Sequence, residues 1–112
     1  MAEDQWDEGT RGPKMSSTTG LTIFKYQMPV SEKFEMNLPK GAEIIRMKGE
    51  NGGLWLWAVV DTEADDETRQ FYAFKCGGSG MRPERNLIYR GCAAIYIQAE
   101  LMLYIFEELP ND

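Results

Sequence analysis

Apolar and polar residues alternate along most of the chain with the period of two that is typical of β-strands. The clearest runs are Thr22 to Met28 and Lys33 to Leu38, and a further run from Thr68 to Cys76 is rich in aromatic residues. Each of the first two runs has one polar side, which is typical of antiparallel strands that pack a single face on a core. Pro29 and Pro39 end these two runs, since proline cannot continue a strand ladder.

The most hydrophobic run, Leu54 to Val60, predicts the central element of the fold. It follows a second β-favouring run, which begins near Ala42, and the glycine-rich residues 49–53 lie between the two runs. Such a cluster supplies the positive φ angles of a tight reversal, so the pattern predicts a hairpin over residues 42–61. Because the run from Leu54 is apolar on both sides, we expect a central strand that is covered on both faces.

The segment from Leu87 to Glu108 is open to two interpretations. Residues 93–109 contain good helix formers, but a helix there would be apolar nearly all round, and a small domain cannot easily bury it. Two strands, over residues 87–97 and 101–107, fit the pattern better. Gly91 inside the first of these strands indicates a bulge or a close backbone approach.

These elements predict an all-β fold, a small antiparallel β-sandwich or barrel of about seven strands. Residues 21–109 would form one domain. Residues 1–20 are rich in Gly, Ser and Thr and have no apolar periodicity, so we expect a flexible, disordered N-terminal tail. Trp6 lies in an acidic cluster of that tail and would dock on a partner, fold back on the domain or, as we favour, stay disordered.

The length and charge of the chain limit its expected size, partners and cellular location. A chain of 112 residues holds one modest core, and its net charge of −6 argues against a direct nucleic-acid partner. No apolar run is long enough to span a bilayer, and the acidic N-terminus does not look like a signal peptide. We therefore expect a protein of the cytoplasm with no membrane partner.

The absence of histidine removes Ser-His-Asp and Cys-His catalysis and HExxH metal sites. We expect Cys76 and Cys92 to be free, reduced thiols, and no cofactor or metal is predicted. Among the carboxylates, Glu35, Asp61 and Glu107 would be acid–base candidates, but nothing in their spacing supports a pair. The sequence therefore does not predict an enzyme.

Two polar segments are candidate partner-binding surfaces. In the acidic turn after the central hairpin, carboxylates recur at every second residue, as in a calcium-binding loop. The turn lacks the glycine of an EF-hand, so a solvated loop or a contact surface fits better. The loop Gly77–Gly80 lacks the lysine and helix of a phosphate-binding loop. The predicted contact residues are Asp61, Glu63, Asp65, Asp66 and Glu67 in the turn, and Arg82 and Arg85 after the glycines.

Four aromatic residues on predicted strands have two interpretations. Trp55, Trp57, Tyr72 and Tyr89 would line a stacking surface for a carbohydrate or nucleotide, or they would belong to the core. Because large aromatic side chains on apolar strands are usually buried, we expect mainly core positions, with at least one of the two tryptophans structural.

Five segments of the chain together form a distinctive pattern. They are Thr22-Ile-Phe-Lys-Tyr, Leu38-Pro-Lys-Gly-Ala, Leu56-Trp57-Ala58-Val59-Val60-Asp61, Tyr89-Arg-Gly-Cys and Ile105-Phe106-Glu107. This pattern resembles that of a family of small uncharacterised proteins of tailed bacteriophages. The similarity runs through residues 22–107 in the same order as in that family, whose pattern is TIFKY, LPKGA and LWALVD. The resemblance implies a phage origin and an all-β domain, and it implies no particular activity.

The function expected from these observations is that of a non-catalytic bacteriophage accessory protein. It would bind a host or host-defence protein in the host cytoplasm and modulate or inhibit it. The acidic excess, the acidic turn and the lack of histidine motivate this hypothesis. The alternatives are a minor virion or assembly component, where an exposed strand edge would also allow a homodimer, and, ranked last, a small ligand-binding domain.

Overall fold

The computed structural model describes residues 20–110, so the predicted tail lies outside the described residues except for Gly20. Within this range the chain is all-β, as the alternation predicts. The segment 93–109, ambiguous in the sequence, forms strands rather than a helix. The seven strands are β1 Leu21–Met28, β2 Lys33–Pro39, β3 Glu43–Glu50, β4 Gly53–Asp61, β5 Asp66–Phe74, β6 Leu87–Tyr96 and β7 Glu100–Glu108.

The strands form two antiparallel sheets packed face to face as a sandwich. The three-stranded sheet has the order β1-β4-β3, and the four-stranded sheet has the order β2-β5-β7-β6. The fully buried side chains come from both sheets, and they include Leu54 and Leu56 of β4, Phe71 of β5 and Ile105 of β7. Phe34 stacks on Phe71 with ring centroids 5.4 Å apart, which joins β2 to this core.

The predicted hairpin at the centre of the chain is confirmed as β3 and β4. Its reversal consists of Asn51 and Gly52, which have φ angles of 52° and 79°. Positive φ at both central residues is the geometry of a two-residue type I′ turn, which matches the twist of the flanking strands and favours Asn-Gly. The local sequence therefore sets the register of these two strands.

The prediction that β4 is central is correct, but the prediction that both of its faces are covered is wrong. Leu54 and Leu56 are fully buried, whereas Trp55 and Trp57 are half-buried on the opposite, outer face. The three-stranded sheet has a second layer on one side only. The outer tryptophans therefore meet solvent and neighbouring side chains instead of a core.

The two sheets come together where β3 contacts β6. A side chain at Gly49 would overlap the carbonyl oxygen of Ala94, so the backbones can approach this closely only without one. On the other strand, Gly91 has a φ of +155°, and the β6–β7 register shifts between Tyr89 and Gly91. The bulge predicted at Gly91 is confirmed, and it lies against the side chain of Met47.

The described residues contain no helix that is long and apolar enough to cross a membrane.

Candidate interaction surface

The outer face of the four-stranded sheet carries a cluster of aromatic side chains. Tyr72 and Phe74 project from β5, Tyr104 and Phe106 from β7, and Tyr89 from β6. The register pairs Tyr72 and Tyr89 with Phe106, and Phe74 with Tyr104, so the five side chains are neighbours. Their alternate partners, such as Phe71 and Ile105, point into the core. We call these five residues the aromatic face.

Four of the five rings contact one another in a continuous series, and Tyr104 lies opposite Phe74 in the β5–β7 register. The ring centroids are 6.3 Å apart for Tyr72 and Phe74, 5.6 Å for Phe74 and Phe106, and 5.3 Å for Tyr89 and Phe106. Tyr89 is 51% exposed and Tyr104 is 36% exposed. The surface is therefore a contiguous apolar patch with hydroxyl groups, rather than a set of isolated exposed rings.

Arg85 forms the polar border of the aromatic face. Its Nη1 donates to the Tyr72 hydroxyl over 2.6 Å and lies 3.3 Å from Oε1 of Glu108, and its guanidinium lies 4.9 Å from the Tyr72 ring centre. The Tyr72 hydroxyl donates to the same Glu108 oxygen over 3.0 Å. Burial and the Glu108 bond raise the pKa of Tyr72, while the charge of Arg85 opposes this. The hydroxyl is therefore a neutral hydrogen-bonding group.

The connection over residues 75–86 brings Arg85 to this position. β5 and β6 are both antiparallel to β7, so they run in the same direction, and the chain must return along the sheet between them. Arg85 is thus the predicted contact residue that the fold brings to the aromatic face. Arg82 is exposed, and its carbonyl accepts a hydrogen bond from the Arg85 amide over 3.1 Å.

Cys92 borders the aromatic face beside Tyr89. A hydrogen bond with the Cys92 thiol, followed by burial, raises the pKa of Tyr89. Both Cys92, which is half-buried, and Cys76, which is exposed, are free thiols in the structure.

The acidic turn contacts the β2–β3 connection, and among the hydrogen bonds of residues 20–110 none joins it to Arg82 or Arg85. Asp61 accepts a hydrogen bond from the Glu63 amide over 3.0 Å, and the Asp65 carbonyl accepts one from the Lys40 amide over 2.7 Å. Asp66 and Glu67 already belong to β5, and Glu67 accepts a bond from the Gly41 amide. No group of three potential metal ligands occurs among residues 20–110.

The outer face of the three-stranded sheet combines two tryptophans with three cations. Lys25 lies 4.6 Å from the ring centre of Trp55 and 5.2 Å from that of Trp57, and Arg46 lies 4.7 Å from that of Trp57. Lys48 is paired with Trp55 across the β3–β4 ladder. We call these five residues the tryptophan face.

Glu50 is the acidic neighbour of the tryptophan face. It accepts a hydrogen bond from Lys25 over 2.9 Å and lies 3.8 Å from Lys48. The Lys25 bond, followed by the charges of nearby cations, lowers the pKa of Glu50 although some burial opposes the shift. Because both pairs are exposed, each contributes little to stability, and the lysines can exchange this carboxylate for another.

The expectation that the four aromatic candidates are mainly core residues is wrong. Trp55 and Trp57 lie on the tryptophan face, and Tyr72 and Tyr89 lie on the aromatic face, so the two pairs are on opposite sides of the sandwich. Other apolar residues, such as Leu56 and Phe71, fill the buried core between the two outer faces. The four rings therefore cannot form one stacking surface.

A buried ionic cluster joins three strands of the four-stranded sheet to the β2–β3 connection. Arg69 binds Glu107 through two hydrogen bonds of 2.8 and 2.9 Å and donates a third, of 2.7 Å, to the Ala42 carbonyl. Arg90 donates to the same carboxylate over 2.9 Å. Burial alone would raise the pKa of Glu107, but the bonds and charges of the two arginines lower it. Glu107 is thus held as an anion by the two arginines.

Sequence reasoning missed three members of the aromatic face, Phe74, Tyr104 and Phe106. The available signal was the doubled apolar pattern of β5 and β7, in which both alternating sides are hydrophobic. One side fills the core and the other must be covered or exposed. The pattern alone does not say which of these outcomes applies.

Residues 20–112 match the family described as a domain of unknown function, DUF7352. The match begins immediately before β1 and includes all seven strands, so it covers the whole described sandwich. Searches of curated proteins and of solved structures found no match. The family description carries no activity, and function must therefore be argued from the surfaces of the molecule.

Proposed function

We propose that this chain, which belongs to the DUF7352 family of domains of unknown function, is a non-catalytic accessory protein that binds another protein through the aromatic face. We further propose that it comes from a tailed bacteriophage, that it acts in the host cytoplasm, and that its partner is a host or host-defence protein that it modulates or inhibits. The sequence resemblance and the acidic excess support the second statement.

The exposure of the aromatic face is the observation that carries the proposal. Five neighbouring rings lie on one sheet face, and Tyr89 and Tyr104 project into solvent. Contiguous apolar patches of this kind are uncommon on monomers, and Tyr, Phe and Arg are enriched at protein interfaces. Tyrosine adds contact area at low entropic cost and offers a hydroxyl for hydrogen bonding.

The chemistry of the aromatic face favours binding over catalysis. Its cation, Arg85, is paired with Glu108 and Tyr72, so it orients a ring instead of holding a reactive group. Tyr72 and Tyr89 have neutral hydroxyls near pH 7, since the ordinary tyrosine pKa is 10.0 and the pKa of each is raised. The face therefore offers hydrogen-bond donors and apolar area, which are the components of a protein contact.

The test compares affinity-tagged full chains in a lysate of the phage's host. The first variant, Tyr89→Ser with Tyr104→Ser, removes the two most exposed rings of the aromatic face. The matched control, Ile23→Ser with Ile45→Ser, removes two exposed apolar side chains from the three-stranded sheet, which are 43% and 50% exposed. Circular dichroism confirms that both variants are folded.

We expect a host protein that is captured by the wild type and the isoleucine control, and that is lost, by about tenfold or more, with the tyrosine variant. The captured protein is then purified, and its affinity for each variant is measured directly. Capture that does not depend on Tyr89 and Tyr104 would reject the aromatic face as the binding surface.

A second candidate function, as a minor virion or assembly component, is favoured by the edge strands. β1 and β2 each lie at the edge of a sheet within the described residues. Such edges can pair with a neighbouring subunit or with a second copy of the chain. Mass spectrometry of purified particles tests this function, because an assembly component must be present in the particle.

A further inference from the structure

We propose that the tryptophan face binds the acidic N-terminal segment of the same chain. This segment, Glu3-Asp4-Gln5-Trp6-Asp7-Glu8, holds four carboxylates around one tryptophan and contains no basic residue. The tryptophan face lies on the opposite side of the sandwich from the aromatic face, so the proposal is independent of the proposed function.

The tryptophan face is chemically suited to an acidic, aromatic peptide. Trp55 and Trp57 are only half-buried, and Lys25 and Arg46 lie over their rings. A cation held against an aromatic ring keeps its charge available to a carboxylate, and the ring offers apolar area to an incoming side chain. Trp6 would add a third aromatic side chain to this arrangement.

The charge of the N-terminal segment is complementary to that of the tryptophan face. Lys25, Arg46 and Lys48 are three cations on one face of a chain whose net charge is −6. Glu50 already bridges the two lysines, which shows that the face accepts carboxylates. Four further carboxylates at the N-terminus would exchange with Glu50 and engage Arg46.

The length of the connecting chain fits the distance to be covered. Residues 7–19, which are 13 residues, separate Trp6 from Gly20 at the start of β1. A flexible linker of 13 residues would have a root-mean-square span of about 20 Å. Lys25, which pairs with Trp57, lies five residues along β1 from Gly20, and Gln27, which pairs with Trp55, lies seven residues along it. At the rise of about 3.3 Å per residue in a strand, Lys25 and Gln27 lie about 17 and 23 Å from Gly20.

Because the linker length matches the distance to the tryptophan face, even a weak contact would be populated within one molecule. When the span equals the root-mean-square length of the tether, the effective concentration of the tethered group is greatest, in the millimolar range for a short tether. A contact with a dissociation constant of about 1 mM would therefore be roughly half formed within one molecule. The contact should also weaken with salt, because the charges involved are exposed.

The experiment uses the full chain and the indole N–H signals of its tryptophans in two-dimensional NMR spectra, assigned by single substitutions. Spectra are recorded between about 20 and 500 mM NaCl, at several protein concentrations. One variant replaces Glu3, Asp4, Asp7 and Glu8 with their amides. The matched control makes the same change of charge at Glu63, Asp65, Asp66 and Glu84, which lie on other exposed segments.

We expect salt to shift the Trp55 and Trp57 signals of the wild type and of the matched control. In the N-terminal amide variant these signals should stay near their high-salt positions at all salt concentrations, and Trp6→Ala should reduce the salt-dependent shift by about half or more. Signals that respond to salt equally in all variants would overturn the proposal. A shift that depends on protein concentration would also overturn it, because a second copy would then occupy the face.

Discussion

Arg69 and Arg90 reach the same carboxylate, that of Glu107, but they are held differently. Arg69 makes two bonds to Glu107 and one to a backbone carbonyl, and its side chain is only 11% exposed. Arg90 makes one bond and is 32% exposed. Removing one partner of a buried pair is costly because the other charge stays buried without compensation, whereas an exposed pair contributes little.

We therefore expect Arg69→Met to lower the free energy of unfolding by about 3 kcal/mol, and Arg90→Met by about 1 kcal/mol or less. Urea denaturation followed by tryptophan fluorescence measures both values. The two substitutions are matched, since each replaces an arginine that binds Glu107 with an apolar side chain of similar length. Equal losses for the two variants would contradict the assignment of Arg69 as the main partner.

This cluster could not be predicted from the sequence. Glu107 and Arg69 lie 38 residues apart, and each occupies a position on an apolar alternating strand where sequence reasoning expects a hydrophobic residue. The pattern does locate both side chains on the inner face. Only the pairing of β5 with β7 shows that the two charges meet there.

At the scale of the elements, the close approach of β3 and β6 depends on glycine for steric reasons and not for backbone conformation. Gly49 does not have a positive φ, but a Cβ there would overlap the Ala94 carbonyl oxygen. The obstacle is backbone, so it cannot rotate away. At Gly52 in the hairpin turn the requirement is conformational instead, because its φ is 79° while a Cβ there would meet open space.

We expect Gly49→Ala to destabilise the protein by about 3 kcal/mol, since the strands must separate, and Gly52→Ala by about 1 kcal/mol. Thermal and urea unfolding of both variants provide the comparison. Ranking by φ angle alone gives the reverse order. A smaller loss at Gly49 than at Gly52 would mean that β3 and β6 are not held in close contact.

The existence of the strands could be predicted almost completely, because alternation, glycine-rich reversals and prolines mark their limits. The β3–β4 reversal at Asn51-Gly52 and the bulge at Gly91 were also readable, since both depend on local backbone geometry. The order of the strands within each sheet could not be predicted, because it depends on contacts between distant parts of the chain. An example is the position of β7 between β5 and β6. Exposed aromatic positions such as Tyr104 were missed for the same reason.

At the scale of the whole molecule, the sandwich separates its charged and aromatic chemistry between two outer faces. Each outer face combines aromatic rings with positive charge. The aromatic face has one paired arginine, and the tryptophan face has two half-buried tryptophans and three cations near Glu50. The buried ionic cluster belongs to neither face. It joins β5, β6 and β7 of the four-stranded sheet to Ala42 in the β2–β3 connection, and we expect its ionisation to couple the stability of the fold to pH.

Acid should weaken the sandwich through Glu107. Its folded-state pKa lies below the ordinary value of 4.5, so its stabilising contribution is fully present above about 4.5 and is lost as the pH falls through the folded-state value. Below that point the two arginines lose their counter-charge. We expect the free energy of unfolding, measured in urea, to fall more between pH 7 and pH 3 for the wild type than for Glu107→Gln.

The amide of Glu107→Gln resembles the protonated carboxyl group, so the two proteins should converge at low pH. At pH 7 the variant should be less stable by about 2–3 kcal/mol, and at pH 3 the difference should shrink to roughly half or less. Glu35→Gln is the control, because Glu35 is an exposed carboxylate on β2, and its difference from wild type should stay small at both pH values. A gap for Glu107→Gln that is the same at pH 7 and pH 3 would show that the ionic cluster does not link the fold to pH.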